Sequence, residues 1–467
     1  MNEGIRFDRL FILFIPWGLS LLFSASAVLS YFTAWAGSFF IFYLTLTGKI
    51  KAIPDDLKPS EQLMRPLFLV HIIFAGYMAC TSVFYFLEVL GYENFRTPPP
   101  YFLIDLNQLE AVAACQRFYV LGHASFITGV LLVMQYPKKQ VHSVQIKSVP
   151  NFTMLFALIT LPVSTLFLLV PDLRQFYFQF NSLSFIAGTL ALAFAIPLKK
   201  ISNTIICGVL YAFNFAQTLV SGFKEPIIIS VLVLGIFLFP FYKKTIFIIF
   251  IPIIFLLFVI LPTYNNAFRE QALSSPGNSE EAKAAALNAV LNSDIEDNTT
   301  WGFLTGRLSE VQMFTQYVKT TPFPIDYYGF TLIEQSLTVL VPRIFWPDKP
   351  ITERMVMERV YNAGVVDRVS TVSAKPPLIT DGYLSGGILG VFLTLLIYGM
   401  VAQWISIYAE KLFGGYILGT ALMFSGLFQI FWRGLSFEFI INSVFWSFFT
   451  MVVIYFIFKI LGIIKKV

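Results

Sequence analysis

Charged residues and cysteines are scarce in this chain of 467 residues, and several common catalytic motifs are absent. Only 13% of the residues are charged and 57% are hydrophobic, whereas a soluble globular chain has about 25% charged and about 45–50% apolar residues. Cys80, Cys115 and Cys207 are too few and too scattered for a disulfide framework or a thiolate metal site. The sequence has no glycine-rich phosphate loop, no HExxH motif and no GxSxG motif. These absences count against a soluble protein and against the corresponding nucleotide-binding and hydrolase sites.

Long apolar runs recur along nearly the whole chain. Each is close to the roughly 20 residues that a helix needs to cross the hydrocarbon of a membrane. The strands of a membrane β-barrel would instead alternate over about ten residues. The sequence therefore predicts an all-α integral membrane protein with about 12 transmembrane helices. The runs lie at roughly 10–28, 31–47, 67–90, 117–135, 150–170, 176–197, 203–221, 226–242, 245–263, 381–402, 412–431 and 438–461.

Basic residues in the short loops indicate the orientation of these helices. Lysine and arginine near helix ends are retained in the cytoplasm, and here they fall on alternate loops without a break. We therefore expect both termini to be cytoplasmic, and we expect the first apolar run, which lacks a signal-peptidase site, to stay in the protein. Pairs of cations at helix ends do not form the basic stripe of a nucleic-acid binder. The cations on this face are Arg6, Arg9, Lys49, Lys51, Lys58, Lys138, Lys139, Lys199, Lys200, Lys243, Lys244, Lys411, Lys465 and Lys466.

One long segment on the opposite face is the only part with a soluble-like composition. It divides the chain into helices 1–9 over residues 1–263, a large extracytoplasmic loop over 264–380, and helices 10–12 over 381–467. Loops longer than roughly 12–15 residues are usually functional or disordered. Apolar periodicity predicts short helices within this loop. They cover 279–292, 306–319 and 330–340, and the last is apolar enough to lie on the bilayer or on the helix bundle.

The stretch LVPRIFWPDKP, residues 340–350, contains three prolines in eleven positions. Proline fixes its own φ and disfavours helical geometry in the residue before it. We therefore expect an extended segment that displays Arg343, Trp346 and Lys349 at the membrane surface.

Further cations lie near the ends of helices on the same face. Lys224 occupies the turn SGFKEP, Arg307 lies one turn from Glu310, and Arg433 ends the eleventh helix in FWRGLSFEF. Such residues often serve only as interfacial anchors, because placing Lys or Arg at mid-bilayer costs around 2.5–3.5 kcal/mol. Cations that converge from several loops would also suit a pyrophosphate, since Lys offers a point charge and Arg a bidentate fork. A dry site strengthens each such contact.

Several of these stretches resemble one family, the Wzy-type polymerases of O-antigen and other oligosaccharide repeat units. These are polytopic C-type glycosyltransferases of the bacterial inner membrane. The resemblance runs from GRLSEVQMF through DYYGFTLIEQSLTVLVPRIFWPDKP to PPLITDGYLSGGILGVF, between about 306 and 400. The stretch SGFKEPIIISVLVL is similar too, although the family more often has Arg where this chain has Lys224.

The resemblance implies a fold like that of other C-type glycosyltransferases and transfer of a growing glycan from its undecaprenyl pyrophosphate carrier to another lipid-linked repeat unit. The expected partners are these donor and acceptor glycans, membrane lipids and a chain-length regulator protein, without nucleic acid, metal or cofactor. Two carboxylates are candidates for the general base: Asp381 first, which could instead cap its helix, and Glu310 second, which could instead pair with Arg307. Candidate pyrophosphate-binding residues are Lys224, Arg307, Arg343, Arg433 and, more weakly, Lys349.

Two other functions fit the same topology. Related O-antigen ligases often use a histidine of the outer loop, and this loop contains none. A transporter or flippase for lipid-linked sugars would place charges along the helix interiors and is often built from repeated halves. In this sequence the charges concentrate in the one outer loop, and no long repeat is evident.

Overall fold

The computed structural model is mostly helical, at 72%. It describes residues 7–467 apart from 138–139, 171–172, 221–223, 344, 371–372 and most of 254–296. The side chains at 218–220, 224–227, 297–299, 307 and 433 also lie outside the described part. Six of the described helices are long and apolar enough to cross a membrane. They are Ala27–Leu46, Pro66–Val89, Val149–Leu166, Arg174–Ala195, Leu378–Leu412 and Phe437–Ile460.

The helices up to residue 253 follow the apolar runs closely. They are α1 (Phe7–Phe11), α2 (Ile15–Leu22), α3 (Ala27–Leu46), α4 (Pro66–Val89), α5 (Leu106–Val133), α6 (Val149–Leu166), α7 (Arg174–Ala195), α8 (Ile201–Val220), α9 (Lys224–Leu238) and α10 (243–253). A short strand β1 (His142–Val144) lies between α5 and α6. A turn of 3-10 helix, Ile12–Phe14, joins α1 to α2, and a π-helical stretch, Ile72–Ala79, interrupts α4.

The second part of the chain contains several shorter helices and two long ones, α15 and α18. They are α11 (Asp297–Phe303), α12 (Val311–Thr320), α13 (Thr331–Val339), α14 (Thr352–Asn362), α15 (Leu378–Leu412), α16 (Ile417–Leu427), α17 (Ile430–Arg433) and α18 (Phe437–Ile460), with β2 (Ile464–Lys466) at the end. A π-helical turn, Leu304–Leu308, connects α11 to α12. Within α15 the helix breaks at Gly386 and Gly387, where Gly387 has a φ of +60°.

Local sequence explains where several helices begin. Pro66 starts α4 and Pro150 lies in the first turn of α6, where a helix needs no N–H from proline. Asp105 caps α5, because its carboxylate accepts hydrogen bonds from the N–H groups of Asn107 and Gln108 at 2.9 and 3.1 Å. The Asp105 cap places the start of α5 at Leu106, eleven residues before the predicted start at 117.

The core is centred on α5 and α15, which pack along each other. Val120, Ile127 and Val130 of α5 and Val391 and Ala402 of α15 are buried. Small residues allow the close approach of the two backbones: a Cβ on Gly129 would lie 2.1 Å from the carbonyl oxygen of Leu396. Glycine in such a position is typical of membrane helix pairs, which gain stability from close packing.

The basic loops lie together at one end of the molecule. β1 pairs antiparallel with β2, so that the loop after α5 is joined to the C-terminal segment. The ring of His142 is 2.8 Å from the carbonyl of Lys411, and Lys200 donates to Ser148 at 2.9 Å. The loops that hold many of the lysines thus contact each other, and we call this end of the molecule the basic end.

The helices α11 to α14 form a layer at the other end, which we call the outer layer. Tyr77 of α4 donates to the carbonyl of Leu308 at 2.8 Å, and Gln108 of α5 donates to Thr315 at 3.2 Å. The N–H of Tyr328 donates to the carbonyl of Leu384 at 2.8 Å. These contacts attach the layer to the middle of α4 and to the ends of α5 and α15 that lie away from the basic end.

The predictions about the helices of the loop and about the number of membrane helices have different outcomes. The predicted helix 306–319 is divided, because Ser309 has extended backbone geometry and α12 begins only at Val311. The predicted helix 330–340 is present as α13. The predicted helix 279–292 lies almost entirely outside the described residues. The prediction of twelve membrane helices is supported for six, and the complete set remains a prediction.

Candidate functional site

An arginine lies on the apolar face of α14. The buried apolar positions of this helix are Val356, Met357 and Val360, followed by Ala363, with Arg359 among them at 2% exposure. These positions recur with the spacing of a single helix face. Arg359 therefore points into the protein with the apolar side chains.

Two buried carboxylates neutralise Arg359. Its Nε and Nη2 donate to the two oxygens of Asp381, each at 2.9 Å. Its Nη1 and Nη2 donate to the two oxygens of Glu438, each at 2.8 Å. Asp381 lies in the first turn of α15 and Glu438 in the first turn of α18. The three residues form what we call the Arg359 cluster, which ties the outer layer to two membrane-length helices.

Electrostatics keep this arginine charged. Burial acts to lower the pKa of Arg359, but the pKa is raised overall because Asp381 and Glu438 favour the charged form. Burial also raises the pKa of the nearby Tyr317, and the negative charge of Asp381 raises it further. Neither Arg359 nor Tyr317 therefore titrates in the physiological range.

Asp381 neither caps its own helix nor lies free to act as a general base, which were its two predicted roles. The N-cap of α15 is Pro377, and the N–H of Asp381 already donates within the helix to the carbonyl of Pro377 at 3.1 Å. Its side chain instead accepts from the N–H of Phe437 at 2.9 Å and so caps the neighbouring α18. Because both oxygens are buried and hydrogen-bonded, the geometry favours a structural role for Asp381 over that of a general base.

A second arginine cluster of the same design lies at the basic end. Arg65 is fully buried and donates to both oxygens of Glu410 at 2.9 and 2.8 Å. It also donates to both oxygens of Asp56 at 2.8 and 2.6 Å. The hydrogen bond from Arg65 lowers the pKa of Asp56. Since Glu410 lies near the end of α15, a buried arginine binds this helix at each end.

His71 and His123 form a pair within the helix bundle. The Nδ1 of His71 is 3.0 Å from the Nε2 of His123, and both rings are buried. The ring of Phe74 stacks on His123 with centroids 5.1 Å apart. Among the described residues, no group of three or more potential ligands that could hold a metal ion is present. The two rings join α4 to α5 within the bundle.

The segment LVPRIFWPDKP forms turns and is not extended as predicted. The N–H groups of Phe345 and Trp346 both donate to the carbonyl of Pro342, at 3.0 and 3.2 Å. The N–H of Lys349 donates to the carbonyl of Trp346 at 3.2 Å, so Pro347 occupies the second position of a tight turn. Proline prevents a helix from continuing, and its φ of about −65° suits this position of a turn. Phe345 remains on the surface at 79% exposure, and Trp346 is also exposed.

The two cations of this segment are in different environments. Lys349 is buried, and its Nζ donates to the carbonyls of Val339 and Val341, both at 2.7 Å. Burial lowers the pKa of Lys349, and the charge of Arg343 lowers it further. The expectation that Lys349 is displayed at the surface is therefore wrong, because its ammonium group caps the C-terminal end of α13.

Arg343 is partly exposed and has no carboxylate partner among the described residues. Its Nη1 and Nη2 donate to the carbonyls of Pro347 and Pro350 at 3.3 and 3.4 Å. A guanidinium has five N–H donors in total, so most of its hydrogen-bonding capacity is unused by the described part of the chain. Arg343 thus differs from Arg359 and Arg65, whose charges are neutralised.

The other predicted site residues are only partly defined. The side chains of Lys224, Arg307 and Arg433 lie outside the described part, although Lys224 begins α9 and Arg433 ends α17. Glu310 is partly buried and occupies the N-cap position of α12, but its side chain does not accept a capping hydrogen bond. The structure therefore brings Asp381 into the Arg359 cluster and places Arg343 beside Lys349.

One family model matches nearly the whole chain. It covers residues 15–466 and is described as a domain of unknown function, DUF8712. The chain belongs to the DUF8712 family. A search of curated proteins and a search of solved structures each found no match.

Sequence reasoning missed Arg359, which is the central charge of the outer layer in this DUF8712 protein. The signal was its position in TERMVMERVYN, where Arg359 falls on the same helix face as Val356 and Val360. Lys and Arg are almost never fully buried unless they are paired. An arginine on an apolar stripe therefore indicates a buried carboxylate partner elsewhere in the chain.

Proposed function

We propose that this protein is a polymerase that joins undecaprenyl-pyrophosphate-linked oligosaccharide repeat units into O-antigen or a related surface polysaccharide. In this proposal it crosses the bacterial inner membrane twelve times, with both termini in the cytoplasm and residues 264–380 outside. The gathering of basic loops at one end supports this orientation, because such loops are retained in the cytoplasm. The outer layer then faces the periplasm.

The observation that carries the proposal is the setting of Arg343. Backbone carbonyls of Pro347 and Pro350 hold its guanidinium group, and no described carboxylate neutralises it. Exposed aromatic side chains, Phe345 and Trp346, lie next to it in the chain. Tryptophan is enriched at membrane–water interfaces. An unneutralised cation beside such residues suits a phosphate group that a lipid tail holds at the membrane surface.

The proposed reaction exchanges a glycosyl–pyrophosphate bond for a glycosidic bond. A hydroxyl oxygen of the acceptor glycan attacks the anomeric carbon of the donor, and the bond from that carbon to the pyrophosphate oxygen breaks. The electron pair leaves with undecaprenyl pyrophosphate, and the proton of the hydroxyl passes to a base. Positive charge near the leaving oxygen stabilises this transition state. We assign that role to Arg343, with Lys224, Arg307 and Arg433 as further candidates.

Glu310 is the better of the two candidate bases. It precedes α12 in the outer layer and is only partly buried, whereas Asp381 is fully buried and bound to Arg359. A general base must be within hydrogen-bonding reach of the acceptor hydroxyl. The proposal requires donor and acceptor glycans and membrane lipids as partners, and it accommodates a chain-length regulator protein. It requires no metal or cofactor.

The proposal predicts that Arg343→Ala abolishes polymerisation. Removal of one positioned donor from a transition-state charge costs about 10²–10³ in rate. A host with its own copy of the gene deleted would be complemented with wild type or variant, and glycan length would be measured on gels. Wild type should restore a ladder, and Arg343→Ala should leave mainly single repeat units at equal protein level.

Arg368→Ala is the matched control for this experiment. Arg368 is also an outer-layer arginine, but it is exposed and already paired with Glu358 at 3.0 Å, so the ladder should persist. A full ladder with Arg343→Ala would refute the role of this residue. Failure of even single units to reach the outer face in the deleted host would identify a flippase, and loss of transfer of complete chains to their final acceptor would identify a ligase.

A further inference from the structure

The helix α13 has two apolar faces. Leu332, Ser336 and Val339 form the inner face and are buried. The outer face consists of large apolar side chains that no described residue covers: Phe330 is 77% and Leu337 54% exposed, and Ile333 and Val341 are exposed too. These residues recur at intervals of three and four along the helix, so they form one stripe. Exposure of such a stripe to water would be unfavourable, because it costs about 25 cal/mol of free energy per Å² of apolar surface.

The inner face of α13 packs against α18 and α15. Both are membrane-length apolar helices. The surface of α18 itself has exposed apolar side chains, including Phe445, Phe449 and Val453. On a membrane-spanning helix these are the side chains that face lipid. The outer stripe of α13 therefore belongs to a helix that packs on a membrane-length helix with exposed apolar side chains of its own.

The end of α13 is adapted to a place with little water. The last carbonyls of a helix have no partner within the helix, and an unsatisfied carbonyl in hydrocarbon costs several kcal/mol. Here the buried ammonium group of Lys349 binds the carbonyls of Val339 and Val341. Inside the helix, the hydroxyls of Ser336 and Thr338 donate to the carbonyls of Leu332 and Gln335. A helix end in bulk water would not need a buried lysine for this purpose.

One acidic and one aromatic residue of this segment indicate the depth. Glu334 is exposed within the stripe itself, four residues after Phe330 and three before Leu337, and a carboxylate favours the headgroup level over the hydrocarbon. The exposed Trp346 follows α13 in the chain, and tryptophan is enriched at the headgroup level. Both residues thus fit a helix that lies in the interface and does not cross the hydrocarbon.

We propose that α13 is an interfacial helix whose outer stripe is seated in the leaflet of the membrane at the outer layer. The occupant of this surface is lipid, and the segment 330–346 belongs to the membrane-embedded part of the protein, not to a water-exposed loop. This inference goes beyond the polymerase proposal and does not depend on it, because it rests on the packing, exposure and capping of α13. The sequence left open whether this segment lies on the bilayer or on the helix bundle. In this proposal the inner face of α13 packs on the bundle and its outer stripe faces lipid.

The test is the accessibility of spin labels in the full-length protein in phosphatidylethanolamine–phosphatidylglycerol nanodiscs. Single cysteines replace Leu337 and Phe345 as probes, in a Cys80→Ser background, because Cys115 and Cys207 are buried. Phe449→Cys on α18 supplies the lipid reference, and Val369→Cys, at a site 90% exposed in the outer layer, supplies the water reference. Power saturation then measures how often each spin label collides with oxygen and with a nickel chelate. Oxygen concentrates in lipid, whereas the chelate stays in water.

Labels at 337 and 345 should have a ratio of oxygen to nickel accessibility well above that at 369 and below that at 449, which lies in the middle of a membrane-length helix. A ratio at 337 like that at 369 would overturn the inference, because the stripe would then face water. Low accessibility to both reagents at 337 would also overturn it and would indicate a protein partner such as a second copy. Since no catalysis is measured, this result is separable from the glycan ladder.

Discussion

Replacement of Arg359 by methionine should strongly destabilise the protein. The substitution leaves Asp381 and Glu438 both buried and without their ion-pair partner. Removal of one partner from a buried ion pair costs about 3–5 kcal/mol, because the remaining charge is uncompensated. Arg359→Met should therefore give a large fall in the midpoint of thermal unfolding in detergent and a low folded yield, measured by fluorescence-detected size exclusion.

Two variants separate charge imbalance from loss of packing. Arg368→Met removes an exposed pair with Glu358, which should matter little because solvent screens exposed ion pairs. The triple variant Arg359→Met, Asp381→Asn and Glu438→Gln removes the buried charges together. It should recover part of the stability, because no uncompensated buried charge remains, and the recovery should be incomplete because the buried amide groups lack partners. If the triple variant were no more stable than Arg359→Met alone, uncompensated charge would not be the cause.

The apolar pattern predicted the positions of most helices well, because one physical requirement determines where such helices can lie. A helix that crosses hydrocarbon must be apolar over its full length, and runs such as 31–47 and 438–461 became α3 and α18 with small shifts at their ends. The shift was larger for α5, which begins at Leu106. Its early turns carry Glu110 and Arg117, whose ion pair at 2.6 Å neutralises both charges within one helix. A scan for apolar residues does not detect such a pair.

The contacts of the candidate site were not predictable in the same way. The partners of Arg359 are 22 and 79 positions away along the chain, so no local pattern joins them. Asp381 was singled out for its position at the start of a helix, but the fold decides that it caps α18 rather than α15. For LVPRIFWPDKP, the proline rule excluded a helix but could not choose between an extended segment and turns. The burial of Lys349 depends on the end of α13, which the rule does not describe.

A methyl group at Gly129 should force α5 and α15 apart. The Cβ of an alanine there would lie 2.1 Å from the carbonyl oxygen of Leu396 and 2.9 Å from the nitrogen of Met400. Both atoms belong to the backbone of α15, so no side chain can rotate away. Overpacking of a core usually costs about 1–3 kcal/mol, and a rigid backbone contact lies at the upper end. Gly129→Ala should lower the unfolding midpoint clearly, and Gly129→Val should prevent folding.

Gly208→Ala in α8 is the matched control, since a Cβ at Gly208 would meet nothing within 4 Å. Alanine favours a helix by about 1 kcal/mol over glycine, so this variant should be neutral or slightly more stable. Gly399→Ala should behave like Gly129→Ala, because its Cβ would lie 2.2 Å from the carbonyl oxygen of Phe126 on the other side of the same contact. If Gly129→Ala unfolded at the temperature of Gly208→Ala, the two helices could not be in backbone contact. The shared core that supports both arginine clusters would then need a different arrangement.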